Sequence, residues 1–270
     1  MQENTVSEVR QFYNQDPMLE WGRLDRHPFE EIITRHYLER YIMPGDRVLD
    51  LGGGPGRYSL WLAARGVETV LVDLSDANVA MAAQRAAAEG LTLTALQGDA
   101  REIDRLVEGP LDHLLLMGPM YHLLAEEDRL RTLEASLSLL KPGGMLFCAF
   151  ISNYANLIYL LSHAPDLITG EAEAAWVESV KAGKSYAGPA FTQAYFIQPA
   201  EIPALMGRFP LKQRHLFSCE GISAAFQDQL SAMPPAQRDA WLELSIQLAE
   251  REELLSWAEH LMYVGEKRSP

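Results

Sequence analysis

Apolar residues along this chain follow two rhythms that alternate. Five short segments are nearly continuous in apolar residues: Arg47–Leu51, Thr69–Asp73, Leu91–Gln97, Leu111–Met117 and Met145–Ile151. Between them lie longer stretches with helical character. These are Tyr58–Ala64, an alanine-rich run that Ser75 can cap and Gly90 can end, a short amphipathic piece over Arg101–Val107, and Glu126–Leu140 with acids in its first turn and Lys141 at its end. Strands that are apolar on both faces and alternate with helices predict a parallel sheet covered on both sides. Ligands of such a sheet lie beyond the carboxyl ends of the strands, which here carry Asp50, Asp73, Asp99, Met117 and Asn153.

The alternation covers residues 45–152, and the chain reads differently on either side. Residues 1–44 are expected to form an N-terminal helical flap. Pro28 suits a helix start, and Phe29, Ile32, Ile33, His36, Tyr37 and Tyr41 recur at the spacing of one helical face. The preceding segment, dense in aromatics and charges, reads either as a surface wrap or as a flap offering Tyr13, Arg23 or Arg26 to a site. Residues 153–210 read as a cap insertion, with helices near Ala155–Ser162 and Glu171–Ala182. Residues 211–270 read as the last strands, His215–Cys219 and His260–Val264, around a helical insertion at 221–258 in which Pro234-Pro235 marks a start. The expected fold is α/β: a doubly wound, seven-stranded, mostly parallel sheet with an N-terminal helical flap and a helical cap from C-terminal insertions.

The first strand runs into Gly52-Gly53-Gly54-Pro55-Gly56-Arg57, a turn suited to a ligand. Glycine permits positive φ and close approach to the main chain, and the first N–H groups of the next helix are free to donate. A dinucleotide fingerprint starting at Gly52 would need glycine where Arg57 stands, so it fails. Asp50-x-Gly52-x-Gly54-x-Gly56 instead resembles motif I of the class I S-adenosylmethionine-dependent methyltransferases, and the likeness continues at the next strand ends. The resemblance implies that fold, S-adenosylmethionine as cofactor, and methyl transfer. It implies that Gly52 and Gly54 face the cofactor, that Asp73, followed by Leu74, takes the ribose hydroxyls, and that Asp99 and Ala100 take the adenine. Met117 would contact the adenine or methionine portion. Leu139–Gly144 resembles the family's turn before its fifth strand, a structural feature. Arg23 or Arg26 suits the methionine carboxylate, because guanidinium pairs with carboxylate in two-pronged fashion, and Tyr13 could close over that end.

The loop after the fourth strand, Gly118-Pro119-Met120-Tyr121-His122, should border the acceptor. His122, titrating near neutrality, is the candidate general base, with Tyr121 as a hydrogen-bonding or stacking residue; the alternative is that His122 only orients the loop or touches cofactor. The loop lacks the acid and second proline of enzymes that methylate nucleobase amino groups. It also lacks the clustered carboxylates that would hold magnesium, so no metal is expected. Tyr154, Trp176, Tyr186, Phe191, Tyr195 and Phe196 could line an acceptor pocket.

Composition narrows the partners. With 270 residues, 48% of them hydrophobic, the chain can bury one core plus elaborations, and a net charge of -14 opposes binding to a phosphate backbone. A small-molecule acceptor is therefore expected and nucleic acid is not. No run approaches the roughly 18 apolar residues of a membrane span and the amino terminus carries no signal core, so a cytoplasmic monomer or homodimer is expected. Cys148 and Cys219 lack metal or redox spacing and read as buried thiols. The alternatives are a tRNA or quinone-precursor methyltransferase and a protein that binds the cofactor without transferring its methyl.

Overall fold

The structure, a computed structural model, describes residues 2–269. Its centre is one sheet built from β1 (Arg47–Leu51), β2 (Glu68–Asp73), β3 (Thr94–Gln97), β4 (Leu111–Leu116), β5 (Leu140–Ser152), β6 (Tyr186–Pro189), β7 (Gln193–Ile197), β8 (Leu211–Ser218) and β9 (His260–Lys267). β3, β2, β1, β4 and β5 pair in parallel in that order. β9 then pairs antiparallel with β5, and β8 with β9. Alternate residues of the central strands feed two cores, one on each face: Leu49, Leu114, Leu116 and Leu146 in one, Val48, Leu115 and Phe147 in the other. The continuous apolar runs are the consequence of that double burial.

Two elements depart from the expected pattern. Leu91 does not open the third strand, because its N–H closes the preceding helix on the carbonyl of Ala86 at 2.8 Å, and pairing begins only at Thr94. The segment around Phe191 is not part of a helical cap but turns between β6 and β7, an antiparallel hairpin. β4 ends opposite Cys148 while β5 continues to Ser152, and β7 pairs in parallel with Ile151 and Ser152. The other edge of β5 at Ile151 is held by His260 of β9, so the hairpin extends the sheet where β4 leaves off.

The N-terminal segment forms α1 (Gln2–Gln15), α2 (Pro17–Trp21), α3 (Arg23–Arg26) and α4 (Pro28–Leu38); α5 (Arg57–Ala64) and α6 (Asp76–Ala88) follow β1 and β2. α4 buries Phe29, Ile33 and Tyr37, and the Tyr37 ring stacks on Phe217 of β8 at 3.7 Å. Ile32, expected on the same face, is exposed. α1 docks on the start of α6. Ser75 caps α6 by accepting from the N–H of Asn78, while its hydroxyl donates to Asn14, whose amide donates to Asp76. Cys148 and Cys219 are buried free thiols, and burial pushes both up. No helix among the described residues is long and apolar enough to cross a membrane.

The Asn14 contacts, beside the Arg10–Asp76 pair at 2.9 Å, hold α1 on α6, so Asn14→Ala should cost about 1 kcal/mol. The melting temperature should fall by no more than about 4 °C, while hydrogen exchange in α1 accelerates and that of the central strands does not. Equal acceleration in the sheet would show that α1 is part of the same cooperative unit.

Candidate functional site

The carboxyl ends of β1, β2 and β4 open into a cleft floored by the glycine turn. At Gly52, φ is +78° and a Cβ would lie 2.5 Å from the Pro119 ring, so the turn and the loop after β4 touch only because no side chain intervenes. Gly54, at φ +55°, donates its N–H to Asp73 Oδ2 at 2.8 Å; the other oxygen of Asp73 accepts the N–H of Ser75. Asp73 is thus a brace for the turn as well as a ligand candidate. Burial raises its pKa, and its N–H partners, with the Asn78 amide that also donates to Oδ1 at 3.4 Å, oppose the rise; Oδ2 keeps capacity for another donor. Asp50 is buried too. One of its oxygens accepts from Ser59 and the other has no partner among the described residues; burial pushes the group up to about 6, against the Ser59 bond.

Gly52, Gly54, Asp73, Leu74, Asp99, Ala100, Met117, Tyr121, His122 and Tyr13 all line this cleft. Asp99 is held by the Arg101 guanidinium at 2.6 Å; burial raises its pKa but Arg101 lowers it further. Arg26 is a correction. It is exposed, donates to the carbonyl of Leu19 and does not line the cleft, whereas Arg23 does. Arg23 is itself committed, with both terminal nitrogens on Glu30 at 2.7 and 2.8 Å. The flap reaches over the turn: Glu20 Cγ would be 3.7 Å from a Cβ at Gly54.

His122 is also a correction. Its Nδ1 faces the carbonyl of Gln193 at 3.1 Å, which can only accept, so Nδ1 carries the proton. Nε2 therefore accepts from the Tyr13 hydroxyl at 2.8 Å. Burial drives the imidazole down to about 4, with the Gln193 carbonyl opposing only in part. Both nitrogens are engaged, so His122 latches α1 to the hairpin rather than offering a base to an acceptor.

A group that the sequence does not announce lies beside the cleft. Glu30, Glu220 and His260 bring their ligand atoms within 4.8 Å of one another. Glu220 accepts from the His260 ring at 2.6 Å and from its backbone N–H at 3.0 Å, and Glu30 lies 3.8 Å from the same ring. Burial disfavours the charge on His260, but Glu30 and Glu220 outweigh it and raise the imidazolium to about 9. Burial likewise opposes charge on Glu30, and Arg23 then pulls it down to about 2. The four charges neutralise one another, a use of buried carboxylates that spacing in sequence cannot reveal because Glu30 and His260 meet from opposite ends of the chain.

The cleft shares Tyr13, Glu20, Arg23 and Tyr121 with a larger cavity of about 1510 Å³. Of the anticipated aromatics, Trp176, Tyr186, Phe191 and Phe196 line it; Tyr154 and Tyr195 do not, and the Tyr195 ring lies under the Arg129 guanidinium at 3.6 Å.

Residues 48–144 match the methyltransferase domain family. The tRNA 5-carboxymethoxyuridine methyltransferase of Escherichia coli K12 is 32% identical over 117 residues, 42% of this chain and 43% of that protein. The ubiquinone biosynthesis O-methyltransferase of Caulobacter vibrioides is 33% identical over 108 residues, 40% and 42% of the two chains. The match thus spans less than half the length of these curated relatives. Among solved structures, the 1,6-didemethyltoxoflavin-N1-methyltransferase of Burkholderia thailandensis, with bound 1,6-didemethyltoxoflavin and S-adenosylhomocysteine, is similar at a TM-score of 0.59. It shares 14% identity, and the likeness covers 98% of this chain and 87% of that one. The chain carries a class I S-adenosylmethionine-dependent methyltransferase domain. The cleft fits that cofactor: the main chain at Gly54 is open, with no atom among the described residues beyond its chain neighbours nearer than 3.7 Å to where a Cβ would stand, and Asp50 keeps a buried oxygen free for a donor.

Nitrogen NMR should find His122 neutral, protonated on Nδ1, and titrating near pH 4. Because the folded value lies below the unfolded one of about 6.5, this residue's contribution to stability is intact above that pH and declines as pH falls towards 4. Titration at the ordinary value would contradict the latch.

Proposed function

We propose that the chain transfers the methyl group of S-adenosylmethionine to an oxygen or nitrogen of a small-molecule acceptor, without a metal ion. The observation that carries this reading is the opening of the glycine cleft, through Tyr13 and Tyr121, into the large aromatic cavity. S-adenosylmethionine supplies a sulfonium methyl, which passes to a nucleophile while sulfur keeps the bonding pair.

The chain's own residues have three tasks. Asp73 and Leu74 would hold the ribose, Asp99, Ala100 and Met117 the adenine side, and Gly54 would leave room against the main chain, while Gly52 lets the loop at Pro119 close on the turn. Tyr13 and Tyr121 bring aromatic faces to the border, where a sulfonium cation is attracted. The flap and hairpin, latched through His122, exclude water and fix the line of approach. The charge of -14 speaks against a tRNA acceptor. A quinone precursor is the second reading, favoured by the aromatic walls and by the relative that acts in ubiquinone biosynthesis.

Incubation with labelled S-adenosylmethionine and a panel of amines, phenols and thiols should label at least one acceptor. Tyr121→Leu should lower turnover about tenfold with the affinity for S-adenosylhomocysteine unchanged. Firm cofactor binding with no transfer to any acceptor would instead favour a protein that holds the cofactor without using it.

A further inference from the structure

Glu259 lies in the wall of the large cavity, half-buried, and makes no side-chain hydrogen bond or ion pair among the described residues. Its backbone is fixed: the carbonyl accepts the N–H of Ser152, at the end of β5, at 2.9 Å. The next residue, His260, pairs with Ile151, and its ring lies 6.4 Å from that of Tyr121 on the border of the cleft. Glu259 therefore stands at the same sheet edge as the cleft, on the acceptor side. The charges around it are otherwise satisfied. His260 is neutralised by Glu220 and Arg23 by Glu30, while Glu20, Glu173, Asp228, Arg26, His27 and His163 also line the cavity. With His27 held low by burial, the acids Glu20, Glu173, Asp228 and Glu259 outnumber Arg26, the lining arginine left after those pairings. Aromatic faces such as Trp176, Tyr186 and Phe191 add to the preference for a cation. The cavity, at about 1510 Å³, exceeds the roughly 300–1,000 Å³ typical of ligand pockets. An acceptor the size of glycine would leave it full of water.

We propose that the acceptor is a bulky aromatic amine, bound as its ammonium by the Glu259 carboxylate, which then takes the proton that must leave before the nitrogen can act as nucleophile. This deepens the methyl-transfer reading and rests on it. In that step one N–H bond breaks, a carboxyl O–H forms, and the electron pair stays on nitrogen. Burial first, and then the Glu220 charge, raise Glu259 to about 8, so the carboxylate that binds the ammonium and takes its proton prevails above that pH.

Three probes of one shape separate the alternatives: 9-(aminomethyl)anthracene, 9-anthracenemethanol and 9-anthracenecarboxylate, with methylamine as the small control. Their binding to the protein saturated with S-adenosylhomocysteine is followed by fluorescence, and by calorimetry for methylamine. Above about pH 8, where Glu259 is ionised, the amine should bind at least about tenfold more tightly than the alcohol or carboxylate, as a charge-assisted contact gives. Methylamine should not bind measurably. Glu259→Gln should remove the amine's advantage while leaving the alcohol's affinity, and that for S-adenosylhomocysteine, unchanged; the retained alcohol binding reports an intact fold. The amine's advantage should also fade as pH drops below about 8. Equal binding of the three, tighter binding of the carboxylate, no binding of any, or an unaltered advantage in Glu259→Gln would overturn the proposal. Failure to bind S-adenosylhomocysteine would instead overturn the reading beneath it.

Discussion

A buried chain of charge, Glu220 to His260 to Glu30 to Arg23, ties the end of the protein to its beginning across the carboxyl edge of the sheet. Each member is costly to desolvate, and together they are affordable only because every charge meets its opposite. Such networks add little net stability compared with an apolar core, but they tolerate few other arrangements. Arg23 enters the cleft wall with both terminal nitrogens on Glu30, and Glu30 sits at the head of α4, whose apolar face is bound to β8. The flap that carries Tyr13 and Glu20 over the glycine turn inherits its position from that constraint.

The cofactor half was legible in the sequence because its determinants are local. Backbone at positive φ demands glycine at 52 and 54, and double burial demands apolar strands, so both leave marks that need no knowledge of distant partners. The acceptor half was not legible in the same way. His122 reads as a base because free histidine titrates near neutrality; only the fold brings Gln193 and Tyr13 to its two nitrogens and burial to its ring. Arg26 and Arg23 are indistinguishable by position in sequence, and the turn between α2 and α3 decides which of them faces inwards. Glu259 carries no motif at all. Its isolation among satisfied charges is a property of β5, β9 and the cavity together.

These observations describe a division of labour. On the reading proposed above, the glycine turn and the acids at the strand ends form a sequence-encoded receptor for the methyl donor. The flap, the hairpin and the segments after β8 shape a roomier, aromatic and acidic space, which that reading gives to the acceptor and which shares two tyrosines with the first. The His122 latch links the two, since it joins α1 on one side of the cleft to β7 on the other.

The central claim is that the cleft is a receptor for S-adenosylmethionine, with Asp73 at its heart. Titration calorimetry of the protein with S-adenosylhomocysteine and with NAD tests it most directly. The account predicts saturable binding of S-adenosylhomocysteine, no binding of NAD, and a loss of at least about tenfold in affinity for Asp73→Ala, the cost of a charge-assisted contact. Binding of NAD in place of S-adenosylhomocysteine, or an affinity indifferent to Asp73, would contradict it.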